Sequence, residues 1–330
     1  MRRAGLCAAA LVVAVALTAG AAPAAAQVEL SGVWQPRYHE DFPERIPGPE
    51  LRDYLGLPIN DAARQFAESW DPSRITLPEE QCRVHVAPYI LRGPTNLRVW
   101  VEKDPKTQDV IAIKMYSSTY EQTRTIWMDG RPHPGPNAPH TWMGFSTGVW
   151  NGNMLTITTT HVKQGWFRRE NIPSSDEATT IEHWVRNGNV WTHISVTEDP
   201  NYLVEPLIKS EDFNLNPNPN SFNPFWPCEY VEEGERARGE VPHYLPGQNI
   251  WMAEYAATHN LPQEATLGGP EQMYPEYRDR LKKLPVAVFV DPNAEPPAPV
   301  APAGRGQGAA PAGGRGGAPG GRGAGAGGRQ

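Results

Sequence analysis

The stretch MGFSTGVWNGNMLTITTTHV (143–162) decides the fold of this chain. Two runs rich in aromatic and β-branched residues flank the dipeptide Asn151-Gly152, and this arrangement is a strong signal for a tight β-hairpin. A second Asn-Gly pair, at 187–188, joins two further runs of the same kind. Two such hairpins in series predict an antiparallel meander.

The same pattern extends outward over the region 97–210. Short apolar runs alternate there with turn residues, as strands and their connections do. The predicted strands are 97–103, 109–116, 123–129, 143–150, 153–162, 179–186, 189–196 and 202–210. Eight strands at this spacing predict a mainly β fold, in which the meander closes into a barrel or a strongly curved sheet.

The segment 27–96, which precedes this predicted core, is irregular and rich in proline. We expect an N-terminal arm with a single helix. The helix begins after Asn60, whose side chain suits an N-cap. Apolar residues then recur every four positions, at Ala62, Phe66 and Trp70, and predict the buried face of the helix.

The segment 211–284 returns to loop-forming sequence, with two short predicted helices at 250–259 and 275–283. This C-terminal arm and the N-terminal arm are expected to wrap the sheet and to cover its edges. Residues 285–330 are rich first in proline and alanine and then in Gly-Arg repeats. Such a composition does not form a packed core, so it predicts a disordered tail.

The first 26 residues have the three parts of a signal peptide. Arg2 and Arg3 form the basic start, an apolar run covers 11–18, and small residues end the segment at Ala26. The apolar run is too short to span a hydrocarbon layer of about 30 Å. We therefore predict a periplasmic or secreted protein without a membrane span.

Two cysteines, Cys82 and Cys228, follow the predicted signal peptide. In an oxidising compartment we expect them to form a disulfide, and a pair of buried free thiols is the alternative. The chain-entropy model gives such a bond about 5 kcal/mol of stabilisation, because it closes a long loop. The bond would also clip the two arms together.

The charge of the chain excludes one class of partner. Without Arg2, Arg3 and the four arginines after Glu295, the chain has 24 basic residues against 37 acidic ones, a net charge of −13. Gripping a phosphate backbone needs clustered Lys and Arg, so no nucleic acid partner is expected. The Arg-Gly tail offers, as an alternative partner, weak contact with an anionic envelope surface.

Three segments, RTIWMDGRPHP (124–134), TWMGFSTGVWNGNMLTITTTH (141–161) and EHWVR (182–186), resemble those of a large family of secreted bacterial proteins without assigned activity. Its members share a WMDGRPHP-like loop followed by a G-x-W-x-G-x-x-L-x-I-x-T-T hairpin. The similarity covers about 28–231 and implies no particular chemistry. Separately, the Gly-x-Trp of residues 32–34 is similar to the start of lipocalin-type (calycin) barrels, whose interiors hold small apolar ligands.

The loop that precedes the hairpin holds the densest group of polar side chains, namely Asp129, Arg131, His133 and His140. Histidine offers a proton shuttle near neutral pH, and arginine offers a clamp for a carboxylate. These four are the candidate catalytic residues. We expect the proline-rich loop to cover an open end of the sheet, with Arg131 and at least one of the two histidines facing inward. In the structural alternative, Asp129 fixes the turn and pairs with Arg131.

Two histidines on predicted strands are candidate ligand-binding residues. Alternation places His161 on the face of Ile157 and His183 on the face of Ile181. If these aliphatic faces point inward, both histidines line the interior; a structural, hydrogen-bonded histidine is the alternative. The remaining candidates are Trp127, Trp142 and Trp150, which either line an aromatic pocket or pack in the core.

No motif in the chain predicts a metal or a cofactor. The spacing of His133 and His140 is not a recognised ligand spacing, and no H-E-x-x-H, G-x-S-x-G, P-loop or dinucleotide fingerprint is present. We predict no metal site and no cofactor. A metal bound at the histidines is the less favoured alternative.

The function that these patterns favour is a periplasmic binding or carrier protein for a small apolar or aromatic molecule. The hairpin series, the 11 tryptophans and the lack of catalytic motifs support it. One alternative is a periplasmic enzyme that uses the Asp/Arg/His loop for general acid–base chemistry on a small metabolite. The other alternative is an envelope-associated interaction protein.

Overall fold

The computed structural model describes residues 28–37, 50–54, 56–87, 89–93, 95–168, 171–222, 228–231 and 236–294. The predicted signal peptide and most of the predicted tail lie outside these ranges. The chain divides into two units, Met1–Phe289 and Val290–Gln330, and every helix and strand named below belongs to the first. No helix within the described ranges has the length and hydrophobicity needed to cross a bilayer.

The structure is mainly β, as predicted. The strands are β1 (Gly32–Arg37), β2 (Leu97–Lys103), β3 (Val110–Ser117), β4 (Gln122–Trp127), β5 (Phe145–Asn151), β6 (Met154–Thr160), β7 (Gly165–Arg168), β8 (Ile172–Ser174), β9 (Thr179–Asn187), β10 (Val190–Glu198) and β11 (Leu207–Asn216). Nine of them close into a barrel in the order β1-β11-β10-β9-β6-β5-β4-β3-β2. Strands β7 and β8 form a separate hairpin.

The predicted core boundaries, 97–210, are too narrow. Strand β1 lies in the predicted N-terminal arm and closes the barrel by pairing with both β2 and β11. Strand β11 runs six residues into the predicted C-terminal arm, and the predicted strand 202–210 begins too early. Residue Leu203 forms an isolated bridge with Ile59 instead, so the chain joins the barrel only at Leu207.

Both predicted hairpins are present. The two-residue turns are Gly152-Asn153 and Gly188-Asn189, one position later than the Asn-Gly pairs. Only the glycines have positive φ, 61° and 60°. A glycine with positive φ at the first turn position is typical of a type II′ turn, whose twist matches that of the flanking strands.

One pair of neighbouring strands departs from the antiparallel pattern. Strands β4 and β5 are parallel, with Ile126 opposite Ser146 and Trp127 opposite Thr147. Parallel neighbours need a crossover connection of about a dozen residues or more. The connection here, residues 128–144, is called the crossover loop below.

The short helices lie outside the barrel. They are α1 (Asp61–Glu68), α2 (Pro78–Gln81), α3 (Glu254–Thr258) and α4 (Pro275–Leu281). Helix α1 begins as predicted, because Asn60 Oδ1 accepts a hydrogen bond from the Ala63 amide at 2.9 Å. Its predicted face is wrong by one residue: Ala63 and Ala67 are buried and Ala62 is exposed. The two small side chains pack in one apolar cluster with Ile172 and Leu203.

Aromatic side chains fill much of the barrel interior. The ring centroids of Trp184 and Trp191 are 4.5 Å apart, and Phe213 stacks on Trp191 at 4.8 Å. Trp34, from the Gly-x-Trp start, is fully buried and meets Trp191 edge-on at 5.6 Å. Aliphatic side chains from the other strands complete this core. Because aromatic residues bury more area than any others, this cluster is the main apolar anchor of the barrel.

The predicted disulfide between Cys82 and Cys228 is present, with the two Cα atoms 5.7 Å apart. It joins the segment after α2 to the segment that follows the barrel. Beside it, Gln81 donates to the Val231 carbonyl at 2.7 Å and accepts from the Val231 amide at 2.6 Å. The N-terminal and C-terminal arms are therefore held together by covalent and hydrogen bonds.

Candidate functional site

A buried ion pair lies inside the barrel, beside the aromatic cluster. Arg124 and Glu182 are fully buried, with Arg124 Nη1 3.0 Å from Glu182 Oε2. The guanidinium also donates to Ser146 and Thr159, and His193 Nε2 lies 3.2 Å from the carboxylate. Burial alone would raise the pKa of Glu182, but the Arg124 charge and the hydrogen bonds from His193 and Arg124 hold that pKa well below its usual range.

The predicted inward face of β9 is wrong. Glu182 and Trp184 point into the barrel, whereas Ile181 is 41% exposed on the outside. Burying a carboxylate is tolerated here because Arg124 supplies the opposite charge and two hydrogen bonds. His183 therefore does not line the interior, and its Nδ1 lies 3.2 Å from the Thr156 hydroxyl on the outer wall.

The barrel interior leaves little room for a ligand. A small cavity of about 20 Å³ lies near one end, between the β7–β8 hairpin and the ends of β9 and β10, and is lined in part by Tyr89, Arg92, Ser195 and Thr197. A cavity of this size holds about one water molecule. The rings of Trp184, Trp191 and Phe213 occupy the space that a lipocalin-type ligand would need.

The crossover loop lies against the outer wall of the barrel, so the prediction that it covers an open end with inward-facing side chains is wrong. His133 bonds to Thr147 and Thr160, which point outward from β5 and β6. The parallel pairing explains the position. Because the chain leaves the end of β4 and re-enters β5 beside it, the connection has to pass outside the sheet.

At the start of the crossover loop, Trp127 and Arg131 form a fixed stack. The Arg131 guanidinium carbon lies 3.5 Å from the Trp127 ring centroid, within the range of a cation–π contact. Asp129 holds the guanidinium from the side, with Nε 2.9 and 3.0 Å from its two carboxylate oxygens. This hydrogen bonding lowers the pKa of Asp129 and raises the pKa of Arg131. Trp127, Asp129, Arg131 and the neighbouring His133 are called the platform below.

His133 sits at one end of a hydrogen-bond chain along the outer wall. Its Nε2 is 2.9 Å from the Thr147 hydroxyl and its Nδ1 is 2.7 Å from the Thr160 hydroxyl. The Thr160 hydroxyl is also 2.7 Å from His161 Nδ1, and His161 Nε2 is 3.0 Å from the Gly135 carbonyl. The ring of His133 packs edge-on against Phe145 at 5.2 Å.

When His133 and His161 are both neutral, their hydrogen-bond partners determine which atom donates at each step of the hydrogen-bond chain. A carbonyl only accepts, so His161 Nε2 carries the proton and His161 Nδ1 accepts from Thr160. Thr160 then accepts from His133 Nδ1–H, and His133 Nε2 accepts from Thr147. Burial, and then the nearby His161, lower the pKa of His133, which favours its neutral form.

His161 does not line the barrel, although alternation along β6 predicts that it does. Strand β6 ends at Thr160, and His161 has a φ of 58°, in the left-handed region. This backbone turns the side chain out of the strand alternation and toward the crossover loop. The ring centroid of His161 lies 5.1 Å from that of His140.

His140 has one basic nitrogen that the described residues leave unused. Its Nδ1 lies 2.8 Å from the Val162 carbonyl, so Nδ1 carries the proton of the neutral ring. Its Nε2 then has a lone pair, and no described residue donates a hydrogen bond to it. A lone pair of this kind can accept a proton or a hydrogen bond from a bound molecule.

The other predicted tryptophans lie apart from the platform and support the structural alternative. Trp142 packs against the cluster of Val86 and Val162, with the Lys163 ammonium 5.2 Å from its ring centroid. Trp150 packs against the barrel core from the end of β5. The structure therefore brings Trp127, Asp129, Arg131 and His133 together, places His140 and His161 at the other end of the hydrogen-bond chain, and leaves His183, Trp142 and Trp150 outside.

Sequence reasoning missed Thr147 and Thr160, which bind the ring of His133. The signal was the run of threonines in 156–160, where every second side chain points outward from β6. It also missed the Arg124–Glu182 pair, because the two residues are separated by 58 positions. No local pattern connects residues that far apart.

An open groove of about 450 Å³ lies at the same end of the barrel as the small cavity, where β9 begins and β10 ends. Its lining includes Glu177, Glu198 and Glu205 together with Leu203 and Val204. The carboxylates favour a cationic molecule over a neutral or anionic one. The groove therefore does not suit the apolar or aromatic ligand that the sequence favours.

Among the described residues, no group of three or more His, Cys, Asp or Glu side chains is arranged to hold a metal ion. The chain matches no family model, and no curated protein is detectably similar to it in sequence. The resemblance to secreted proteins with a WMDGRPHP-like loop stays a prediction.

Proposed function

We propose that this protein is an extracytoplasmic binding protein for a small aromatic molecule, and that the ligand lies on the platform outside the barrel. The observation that carries the proposal is the Arg131–Trp127 stack at 3.5 Å, held from the side by Asp129. It is an exposed, flat and fixed surface. Ordering it at the moment of binding costs little, because its parts already hold one another in place.

The filled interior directs the ligand to the outer wall. The small cavity of about 20 Å³ admits no molecule of aromatic size. Elsewhere in the barrel interior, the buried side chains belong to the packed aromatic and aliphatic core and to the Arg124–Glu182 pair. In this protein the barrel acts as a rigid support for the crossover loop, in the way that scaffolds commonly carry functional loops.

The platform favours an aromatic carboxylate over a plain hydrocarbon. Arg131 uses Nε and Nη2 on Asp129, and among the described residues its Nη1 has no acceptor. A ligand carboxylate can accept from this Nη1, while the ligand ring stacks on the outer side of the guanidinium. His133, which is held over Thr147 of the neighbouring strand β5, bounds the surface with a ring whose lowered pKa favours its neutral form.

Native mass spectrometry of gently purified protein shows whether a small molecule is retained, and a titration series tests the platform. We expect members of a panel of benzoate, cinnamate and 1-naphthoate to bind, and Arg131→Gln to weaken binding at least about tenfold. Arg98→Gln is the matched control, because Arg98 also lies over a half-buried aromatic ring, that of Phe222, at 5.1 Å. Absence of binding by the whole panel, or equal loss in both variants, would contradict the proposal.

A second candidate function, an enzyme, is favoured by one observation. The neutral ring of His140 presents an unshared Nε2 lone pair, which is what a general base needs. A substrate panel with metabolite esters, lactones and amides tests it, with His140→Ala and His133→Ala as variants. If neither substitution changes any turnover that is detected, the enzymatic reading fails.

A further inference from the structure

We propose that the outer face of β6, β9, β10 and β11, with Val149 of the adjoining β5, is a self-association surface, on which a second copy of this chain docks. This inference does not depend on the platform or on its ligand. The face is defined by three cross-strand rows, which the register of the strands sets side by side. The rows are Val149-Thr156-His183-Ile194-Ser210, Thr158-Ile181-Val196-Ile208 and Met154-Val185-Thr192-Asp212.

Three aliphatic side chains of the face are exposed to solvent, two of them in the same row. Val149 is 66% exposed, Ile181 41% and Ile208 62%. Isolated exposed aliphatic residues are common on proteins and need no explanation, but contiguous ones across neighbouring strands mark interaction surfaces. Here Ile181 lies directly between Thr158 and Val196 in its row.

The face also carries very little charge. Of its thirteen residues, Asp212 alone carries a full charge at neutral pH, and its carboxylate accepts a hydrogen bond from Thr192 at 2.6 Å. A soluble surface with about 30% charged residues would carry roughly four. The chain between the predicted signal peptide and the tail has a net charge of −13, so two copies repel each other over most of their surface. They can approach on this face without bringing acidic groups together.

The composition distinguishes a second copy from other occupants. A membrane-binding face is expected to carry Trp, Tyr, Lys or Arg, and this face has none of them. Its side chains are mostly β-branched, and these lose little rotamer freedom when they are buried. Two such sheets pack at about 10 Å, with strands crossing at about −30°, and a two-fold axis makes the surface complementary to itself.

The size of the face predicts the strength of the dimer. Four strands about 4.8 Å apart and three rows of alternate residues span a surface of roughly 20 by 20 Å. This is about half of the 800 Å² that each partner contributes to a standard stable interface. We therefore expect a reversible dimer with a dissociation constant in roughly the micromolar range or weaker, rather than an obligate one.

Sedimentation equilibrium from about 1 to 200 µM protein tests the proposal. We expect concentration-dependent dimerisation that Ile181→Lys weakens at least about tenfold. The matched control is Ile75→Lys, because Ile75 is 57% exposed but lies in the turn Pro72–Thr76, away from this face. Ile208→Lys provides a second variant in the same row, and circular dichroism checks that each variant is folded.

The salt dependence of dimerisation is a further test. Salt at about 0.5 M should leave dimerisation unchanged or strengthen it, because it screens the repulsion of two acidic bodies without weakening apolar contact. A wild-type protein that stays monomeric at 200 µM overturns the proposal. So does equal weakening by Ile75→Lys, or monomeric protein that binds neutral phosphatidylcholine vesicles through a surface sensitive to Ile181→Lys.

Discussion

Replacing Glu182 by leucine should destabilise the protein more than any ordinary surface substitution. The change leaves the Arg124 guanidinium fully buried without its counter-ion. It also removes Glu182 Oε2, which accepts from Arg124 Nη1 at 3.0 Å and from Trp184 Nε1 at 3.2 Å. Breaking a buried pair from one side costs about 3–5 kcal/mol. This is a fifth or more of the roughly 5–15 kcal/mol that stabilises a typical domain.

Urea denaturation, followed by tryptophan fluorescence and circular dichroism, measures this loss. The double variant Arg124→Met with Glu182→Leu is the internal control, since it removes both charges and should recover most of the loss. A single-variant cost below about 1 kcal/mol would refute the assignment of a buried, interdependent pair. So would a double variant that is no more stable than the Glu182→Leu protein.

The pH dependence of the same pair has a fixed sign. The folded-state pKa of Glu182 is far below its ordinary value, so the carboxylate contributes stability above about pH 4.3. That contribution is lost progressively as the pH falls below 4.3 toward the folded-state pKa. We therefore expect the stability difference between the wild type and Glu182→Gln to shrink over this range. A difference that stays constant or grows there would contradict the depressed pKa.

Three further predictions concern the disulfide and the crossover loop. Replacing Cys82 and Cys228 together by serine should cost up to about 5 kcal/mol and lower the urea midpoint; an unchanged midpoint would show that the bond does not constrain the unfolded chain. Gly144→Ala should cost about 1–3 kcal/mol, because Gly144 has a φ of 64° and an added Cβ would lie 2.6 Å from a carbonyl oxygen. Gly135→Ala, where nothing lies within 4 Å of an added Cβ, is its control and should cost less. Finally, His133 should titrate below the ordinary value of about 6.5 in an NMR pH series, so it makes the protein less stable as the pH falls through 6.5; a midpoint above 6.5 would refute its neutral role in the hydrogen-bond chain.

Local sequence patterns were sufficient for most of the barrel. Strand β2 coincides with its predicted range, and both hairpins follow from the Asn-Gly pairs. Strand β1 escaped prediction because the six residues GVWQPR contain a proline and make up a short run. In the pairing of β1 with β11, Val33 lies opposite Asn216, almost two hundred positions later in the sequence, so no local signal identifies the pairing.

The candidate site was harder to predict than the fold, because it depends on pairings between distant segments. The position of the crossover loop follows from the parallel β4–β5 pair, which no periodicity reveals. On β9, Ile181 and Val185 are more apolar than Glu182, so hydrophobicity alone predicts the wrong inward face. Glu182 nevertheless faces the interior, because Arg124 on a distant strand and the inward-facing Trp184 both donate hydrogen bonds to it. His161 itself has a positive φ, and this backbone conformation ends the strand alternation at that residue.

The central claim is that the ligand binds outside a filled barrel, and ¹⁵N-indole NMR tests it directly. Each tryptophan contributes one indole N–H signal, and Trp127→Phe assigns the signal of the platform. On titration with the best-binding member of the aromatic carboxylate panel, we expect the Trp127 signal to shift while those of the buried Trp184 and Trp191 stay in place. A shift of Trp184 and Trp191 with an unchanged Trp127 signal would place the ligand inside the barrel and contradict the account.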